Sequence, residues 1–381
     1  MDRESSEEKM LQSISKELGI PNLLDALSET TMSRLVPVLL SAWKERCKSI
    51  KPPQVLNVYE VMSPFFVPSP VNQRDLLKLA CECYGVLEGK YTDVQLSPIV
   101  PLGTNGSVTN ISQSNVMSTI RNAEVVSDVT TQLALECARL RKNTKSEDGT
   151  FRLCSFQRVL RMQPFDASRG YMQHFSLFDL CTGGLAKSAG RFGMSWIREH
   201  ISANLDMLLA LTKIGYDFRG VTVCVSDMRF LEAIIRHFEL SKGIILWNTL
   251  NDDFDLFKEC NIPLVREIKN LEEIECFSSI EQMGLARYER FLTHAFNEII
   301  NPLREQYPDI EFRWDFSRKA GIGYYKPLCF HIFGERESGE RVVLSDGGAV
   351  SWLNQLTGSS REAMVISGIG AELIVRLFGP K

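Results

Sequence analysis

Five apolar residues, Leu76, Leu79, Ala80, Cys83 and Leu87, recur at three- and four-residue intervals behind Asn72. That spacing marks one face of a helix, and it predicts a helix over residues 72–87 that buries the stripe. Between Thr150 and Leu180 the period changes to two. Ser155, Gln157, Val159, Arg161 and Gln163 then share one face of a strand, and Cys154, Phe156, Arg158, Leu160 and Met162 share the other. Pro164, Asp166, Ser168 and Gly170 are turn formers, and a second alternating run follows them. The stretch reads as a hairpin with Arg161 and Gln163 on one sheet face and Arg169 at the exit of its loop.

Residues 1–51 read as an N-terminal helical appendage, broken at Gly19 and Pro21, with a second helix over 28–47 that runs through Pro37. KPPQVLNVYEVMSPFFVPSP is too rich in proline for a long helix, and the main domain is placed from Pro52. An extended run, YTDVQLSPIVPLG, leads into loops and short elements, then into a helix in TTQLALECARLRK. A helix over 194–212 precedes a strand, RGVTVCVSD, which enters the helix MRFLEAIIRHF through Ser226 or Asp227. GIILW reads as another strand, and helical patterns continue to about Gln306. Strands return in IEFRWDF, YYKPLCFHIFG and ERVVLSD, with Glu337-Ser338-Gly339 as a hairpin turn. MVISG and AELIVRLF read as a final strand and helix. The expected organisation is a core in two parts, 52–184 and 307–381, around an inserted α/β region, 185–306.

Composition narrows the function classes. The chain has 381 residues, of which 44% are hydrophobic and 24% charged, as in a folded globular protein rather than a disordered one. A formal net charge of −4 gives no electrostatic footprint for a nucleic-acid backbone. MDRESSEEKM lacks the apolar centre of a signal peptide, and no run reaches the roughly 18 apolar residues of a membrane span, so a cytoplasmic protein without membrane contact is expected. The ten cysteines are scattered, and Cys81 with Cys83 lies in a helical pattern rather than a metal knuckle, so buried thiols and no structural metal are expected. Neither a P-loop nor a dinucleotide-binding glycine motif is present.

Two places hold candidate chemistry. Asp128 and Thr130 stand at the start of a helix, where they either cap it or capture a ligand's ammonium group. Arg161 and Arg169 are either solvated hairpin residues or a pair that holds a carboxylate or phosphate.

The order of these parts resembles the catalytic core of the histidyl-tRNA synthetase group of class II synthetases. LRMQ, with Arg161, is similar to the motif-2 FRxE, and Arg169 to its loop arginine. GIGYYKPLCF, with Tyr324 and Tyr325, resembles RGLDYYxxxxF. DGGAVSWL, with Gly347 and Gly348, resembles GGRYDxL, and ISGIGAELI, with Glu372, resembles the motif-3 GxxIGxER. The resemblance covers roughly residues 55–381 and implies an α+β fold, an antiparallel sheet flanked by helices, assembled as a homodimer. It also implies an ATP and Mg site. Arg161 would orient the carboxylate and α-phosphate, Arg169 the outer phosphates, and Gln163 and Glu372 would meet the nucleotide. Asp128 and Thr130 would hold the ammonium group of an amino acid, with Gln173, Tyr324, Tyr325, Gly347 and Gly348 around the rest.

The departures concern charge. Gln163 replaces an acidic residue, Ala320 and Leu373 stand at arginine positions, and Ala349 replaces the arginine of GGRYD. Losing groups that offset phosphate charge removes transition-state stabilisation. Lys319 and Arg376 are the cations nearest those positions. No anticodon-binding domain follows the motif-3 helix, so tRNA is not the expected partner. Two functions fit the resemblance. One is ATP-dependent activation of an amino acid for a small molecule or carrier protein. The other is a non-catalytic paralogue, like the regulatory subunit of ATP phosphoribosyltransferase, that senses an amino acid for a partner enzyme.

Overall fold

The alternating run after Thr150 forms the centre of the sheet. In a computed structural model, residues 6–109, 111–144, 149–163, 165, 172–186, 191–248, 254–262, 264–274 and 278–380 are described. Eleven strands are found among them: β1 (Thr92–Asp93), β2 (Ile99–Pro101), β3 (Ala123–Val125), β4 (Phe151–Leu160), β5 (His174–Leu185), β6 (Arg219–Asp227), β7 (Glu267–Ile268), β8 (Glu311–Asp315), β9 (Leu328–Glu335), β10 (Arg341–Val350) and β11 (Glu362–Ile369). Nine make one sheet in the order β1-β4-β5-β11-β10-β9-β6-β8-β7, and β2 with β3 forms a separate ribbon. From β4 through β6 every neighbouring pair is antiparallel. β1 joins β4, and β8 joins β6, in parallel. The result is an α+β fold, a large, mainly antiparallel sheet with helices on both faces.

Strand alternation decides which helix each face meets. Leu177, Asp179, Cys181 and Gly183 point to one side of β5, where a Cβ on Gly183 would lie 2.5 Å from Cys137 of the helix Val129–Asn143. That helix and Trp352–Thr357 cover this face. On the other face, Phe178 meets Tyr84 edge-on, and Thr182 bonds His200 of the long helix Arg191–Lys213.

The stripe behind Asn72 is buried as its spacing predicts. Asn72 caps the helix Gln73–Leu87 by accepting the N–H of Arg74, and Leu76, Leu79, Ala80, Cys83 and Leu87 are all buried. The helix packs against Arg191–Lys213 and the last helix, Ala371–Phe378, so its apolar face is covered within one chain. Helices Ser6–Leu18, Leu23–Glu29, Met32–Lys48 and Pro52–Val61 bury none of their residues. Pro52 and Pro53 open the last of these, where a helix has no use for their missing N–H groups.

Three expectations are corrected. GIILW lies in a helix, Lys242–Trp247, with the N–H groups of Ile244 and Ile245 directed at the carbonyl of Ser241. A five-residue apolar run does not distinguish strand from helix, and β6, the nearest strand in sequence, already has β9 and β8 on its two edges. The strand predicted from Tyr324 begins later, at Leu328, because Tyr324 and Tyr325 turn back to donate their N–H groups to the carbonyl of Gly321. The strand predicted in RGVTVCVSD has the expected bounds, but it sits inside the main sheet between β9 and β8, so region 185–306 is continuous with the core.

Candidate functional site

The helix Val129–Asn143 starts beside the sheet, and its N-cap orders the site. Asp128 Oδ1 accepts the backbone N–H of Thr130 at 2.9 Å and its hydroxyl at 2.5 Å. The capping role of Asp128 is therefore realised. Its Oδ2 faces the other way, accepting the hydroxyl of Tyr324 at 3.0 Å, with Arg161 Nη2 3.8 Å distant.

Arg161 leaves the end of β4 while its N–H still donates to the carbonyl of Gln173, prolonging the β4–β5 pairing by one residue. Its Nε donates to the carbonyl of Ser127 at 2.9 Å, and its guanidinium lies 5.2 Å from the Phe175 ring. One edge of the fork is thus fixed by backbone while the side chain remains 28% exposed. Such an anchored guanidinium can hold a carboxylate with little further loss of freedom.

Tyr324 is placed by the turn before β9. Gly321 closes that turn at φ +98°, and a Cβ there would fall 2.5 Å from the Tyr325 ring, so both conformation and space require glycine. Trp352 meets Tyr324 edge-on at 5.0 Å. Burial, reinforced by the charge of Asp128, pushes the Tyr324 phenol well above its usual range, so it remains a proton donor.

These groups line one cleft of about 530 Å³. Of the residues singled out in the sequence, Asp128, Thr130, Arg161, Gln163, Tyr324 and Tyr325 border it. Gly347 and Gly348 are not among its lining residues. A Cβ on Gly348 would lie 2.5 Å from the Tyr325 ring, and one on Gly347 would lie 2.6 Å from Phe330, so both serve close packing. Gln173 contributes its carbonyl to Arg161 rather than its amide to the cleft. Glu372 accepts the N–H of Ser176 at 3.1 Å, Arg158 at 2.8 Å and the hydroxyl of Ser69. It borders a smaller hollow of about 220 Å³ with Phe175, Leu373 and Arg376, which shares Arg161, Leu177 and Gly370 with the cleft. Lys319 donates to the carbonyl of Phe254 and does not reach the cleft. Arg169 lies outside the described residues.

Three further charged residues shape the site, and the sequence reading passed over them. Arg318, only 2% exposed, donates to Asp346 at 2.7 Å and to the carbonyl of Ala320 at 2.8 Å, and it stacks on Tyr325. Asp346 lines the cleft from β10 with 43% of its side chain exposed. Burial opposes its charge, but Arg318 and His331 hold the carboxyl well below the usual range. The third residue, Asp179, is buried in β5. Burial, then the charge of Asp128, push its carboxyl up against the opposing pull of Arg161. Its Oδ2 has no hydrogen-bond partner among the described residues. A lone aspartate in the apolar run FSLFDLC was the signal available for it.

Behind the floor runs a buried polar chain. His200 bonds Ser367 at 2.7 Å and Thr182 at 2.9 Å, while Asn204 bonds Ser367 and Ser345, both cleft-lining residues. Burial pushes His200 down to about 3, so it acts as a neutral partner in this chain.

No family model matches the sequence, and no curated protein does. Solved structures are similar in fold. An ATP phosphoribosyltransferase regulatory subunit/histidyl-tRNA synthetase from Bacillus halodurans matches at 15% identity over 82% of each chain, with a TM-score of 0.61. A histidyl-tRNA synthetase from Nostoc sp. matches at 16% identity over 81% of this chain and 73% of its own, with a TM-score of 0.57. A histidine–tRNA ligase subunit from Alicyclobacillus acidocaldarius matches at 13% identity over 81% and 93%, with a TM-score of 0.56.

Proposed function

We propose that this protein is a synthetase-fold domain that binds an amino acid in the cleft and reports it to a partner enzyme without activating it. The observation that carries this reading is the adjacency of Arg161 and Asp128, a cation and an anion 3.8 Å apart on one wall. An amino acid carries its ammonium and carboxylate on a single carbon, and this pair offers the complementary charges at a comparable spacing.

The remaining charges favour such a ligand over a triphosphate. Among the described lining residues, Asp128, Asp179 and Asp346 face Arg161 alone. Arg318 is held by Asp346, Lys319 by a backbone carbonyl, and Ala320 and Leu373 stand at the positions where the resembled family has arginines. Among the described residues that line the cleft, Arg161 is the one cation available to a triphosphate, which supports binding without activation. A homodimer and a regulated partner enzyme belong to the same proposal.

The second reading is ATP-dependent activation of the amino acid for a non-tRNA acceptor such as a carrier protein. The hollow beyond Arg161 favours it, because Phe175 and Leu373 offer apolar walls to a purine. Calorimetric titration with the twenty amino acids, with and without Mg-ATP, separates the two. One amino acid is expected to bind with an affinity unchanged by Mg-ATP. Amino-acid-dependent exchange of pyrophosphate into ATP would establish the second reading instead.

A further inference from the structure

Away from the cleft, a second large hollow is bordered by three arginines. It measures about 740 Å³ and shares no lining residue with the cleft. Pro327 and Leu328 border it where β9 begins, the helix Met228–His237 contributes Arg229, and the helix Tyr288–Ala295 contributes Arg290, Phe291 and His294. Arg287, just before that last helix, lines it as well, so that positions 287, 290 and 294 form one stripe at helical spacing. Glu289 is the one acidic residue among the described lining residues.

The fold accounts for one of these arginines and not for the other two. Arg229 Nε and Nη2 donate to Asp227 at 3.0 and 2.7 Å, and the guanidinium lies 4.1 Å from the centre of the Phe291 ring, so a structural pair explains it. Arg287 and Arg290 are exposed, and neither side chain has a hydrogen bond or ion pair among the described residues. An exposed arginine on a helix ordinarily needs no explanation, but Arg287 stands where the backbone disfavours it. Its φ of 62° lies in the left-handed region, and it occupies an N-cap, where Ser, Thr, Asp or Asn would accept a helix N–H. A cation there opposes the helix dipole, and Arg290 lies three positions on with the same charge. Such a placement costs stability, and its benefit is sought in what the hollow holds.

We infer that this hollow binds a small organic phosphate. Three guanidinium groups around one space suit an anion with several oxygens, because each planar fork takes two of them, whereas a carboxylate fills a single fork. The space exceeds that of a bare phosphate and falls in the range of small-molecule sites. Phe291, Leu328 and Met194 supply an apolar wall for the body of the ligand. Arg229 presents a guanidinium already fixed by Asp227, and the anion answers the charges of Arg287 and Arg290. The inference stands apart from the amino-acid reading, since the two sites have no lining residue in common.

The test titrates phenyl phosphate, inorganic phosphate and phenylacetate calorimetrically into the full chain at low salt. Phenyl phosphate is expected to bind about tenfold or more tightly than either of the others. Arg287→Asn combined with Arg290→Gln should weaken it about tenfold to a hundredfold, the range of lost hydrogen bonds to a charged group. Arg287→Asn alone separates binding from folding, because asparagine tolerates the left-handed backbone and caps helices. Its melting midpoint should equal or exceed that of the wild type while its affinity falls. A lower midpoint would show that the arginine serves the fold, and it overturns the inference. So does a wild type that binds no phenyl phosphate, or variants that bind it as the wild type does. Loss of binding in Arg161→Ala instead would place the phosphate in the cleft and equally overturn it. Phenyl phosphate no tighter than inorganic phosphate would leave a bare-anion site, and a short single-stranded RNA binding more tightly than phenyl phosphate would leave a nucleic-acid surface; either result also overturns it.

Discussion

Asp179 on β5 and Asp346 on β10 flank the central strand β11, and both face the same cleft, yet they are stabilised in opposite ways. Asp346 is ionised against a buried arginine, and Asp179 is buried with no cation in contact. In a structural pair the protein supplies both charges and tolerates exposure of one of them. At Asp179 the protein supplies a carboxylate with no cation in contact among the described residues. The contrast shows that residue type and sheet face do not reveal a carboxylate's task, whereas its partner does.

The largest expected effect comes from breaking the satisfied pair. Asp346→Asn leaves the Arg318 guanidinium buried without its counter-ion, and urea denaturation should report a loss of about 3 kcal/mol, at the low end for buried pairs because Asp346 is part-exposed. A loss within error would mean that the pair is no more structural than Asp179. Next in size is Gly368→Ala, whose new methyl meets the Asp179 carboxylate. It should cost about 2 kcal/mol, and Asp179→Gly in the same chain should recover most of it, a coupling that the cycle of four proteins measures.

The smallest effect has the opposite sign. Asp179 has a folded-state affinity for its proton above that of the unfolded chain, so ionisation of the unfolded chain destabilises the fold as pH rises through about 3.9 towards the folded value. Asp179→Asn should therefore raise the melting midpoint at pH 7.5 and leave it unchanged near pH 3. Asp346 behaves conversely: its contribution is complete above about pH 3.9 and disappears as pH falls towards its depressed folded value. Melting curves of Asp346→Asn should accordingly converge on the wild type only in strong acid. Parallel pH profiles for the two variants would erase the distinction between the sites.

Periodicity carried much of the fold. The stripe from Leu76 to Leu87, the bounds of β6 and the closing strand and helix were legible because each buries a face whose spacing matches its element. GIILW was not, because a five-residue apolar run has no period and its outcome depended on which strand edges were open. At the site, Asp128, Arg161 and Tyr324 could be named from motif order. Asp179 could not, since an aspartate in an apolar strand acquires meaning only once Gly368 from the far side of the sequence is seen against it. Arg318 was eclipsed by its neighbour Lys319, and only tertiary structure shows which of the two turns inward.

The pairing of β5 with β11 also governs when the cleft can exist. It joins Phe178–Leu185 to Glu362–Ile369, segments from opposite halves of the chain, and such a contact carries a large loop-closure cost and forms slowly. Until β11 docks, β5 has one edge of unpaired amides, and the bed of Asp179 lacks its glycine wall. The floor of the cleft is thus absent from every partly folded species that lacks this pairing, and it is completed only when the two halves of the chain meet. By linkage, any molecule that binds only the finished cleft would stabilise the fully paired sheet and so hold the chain's two halves together.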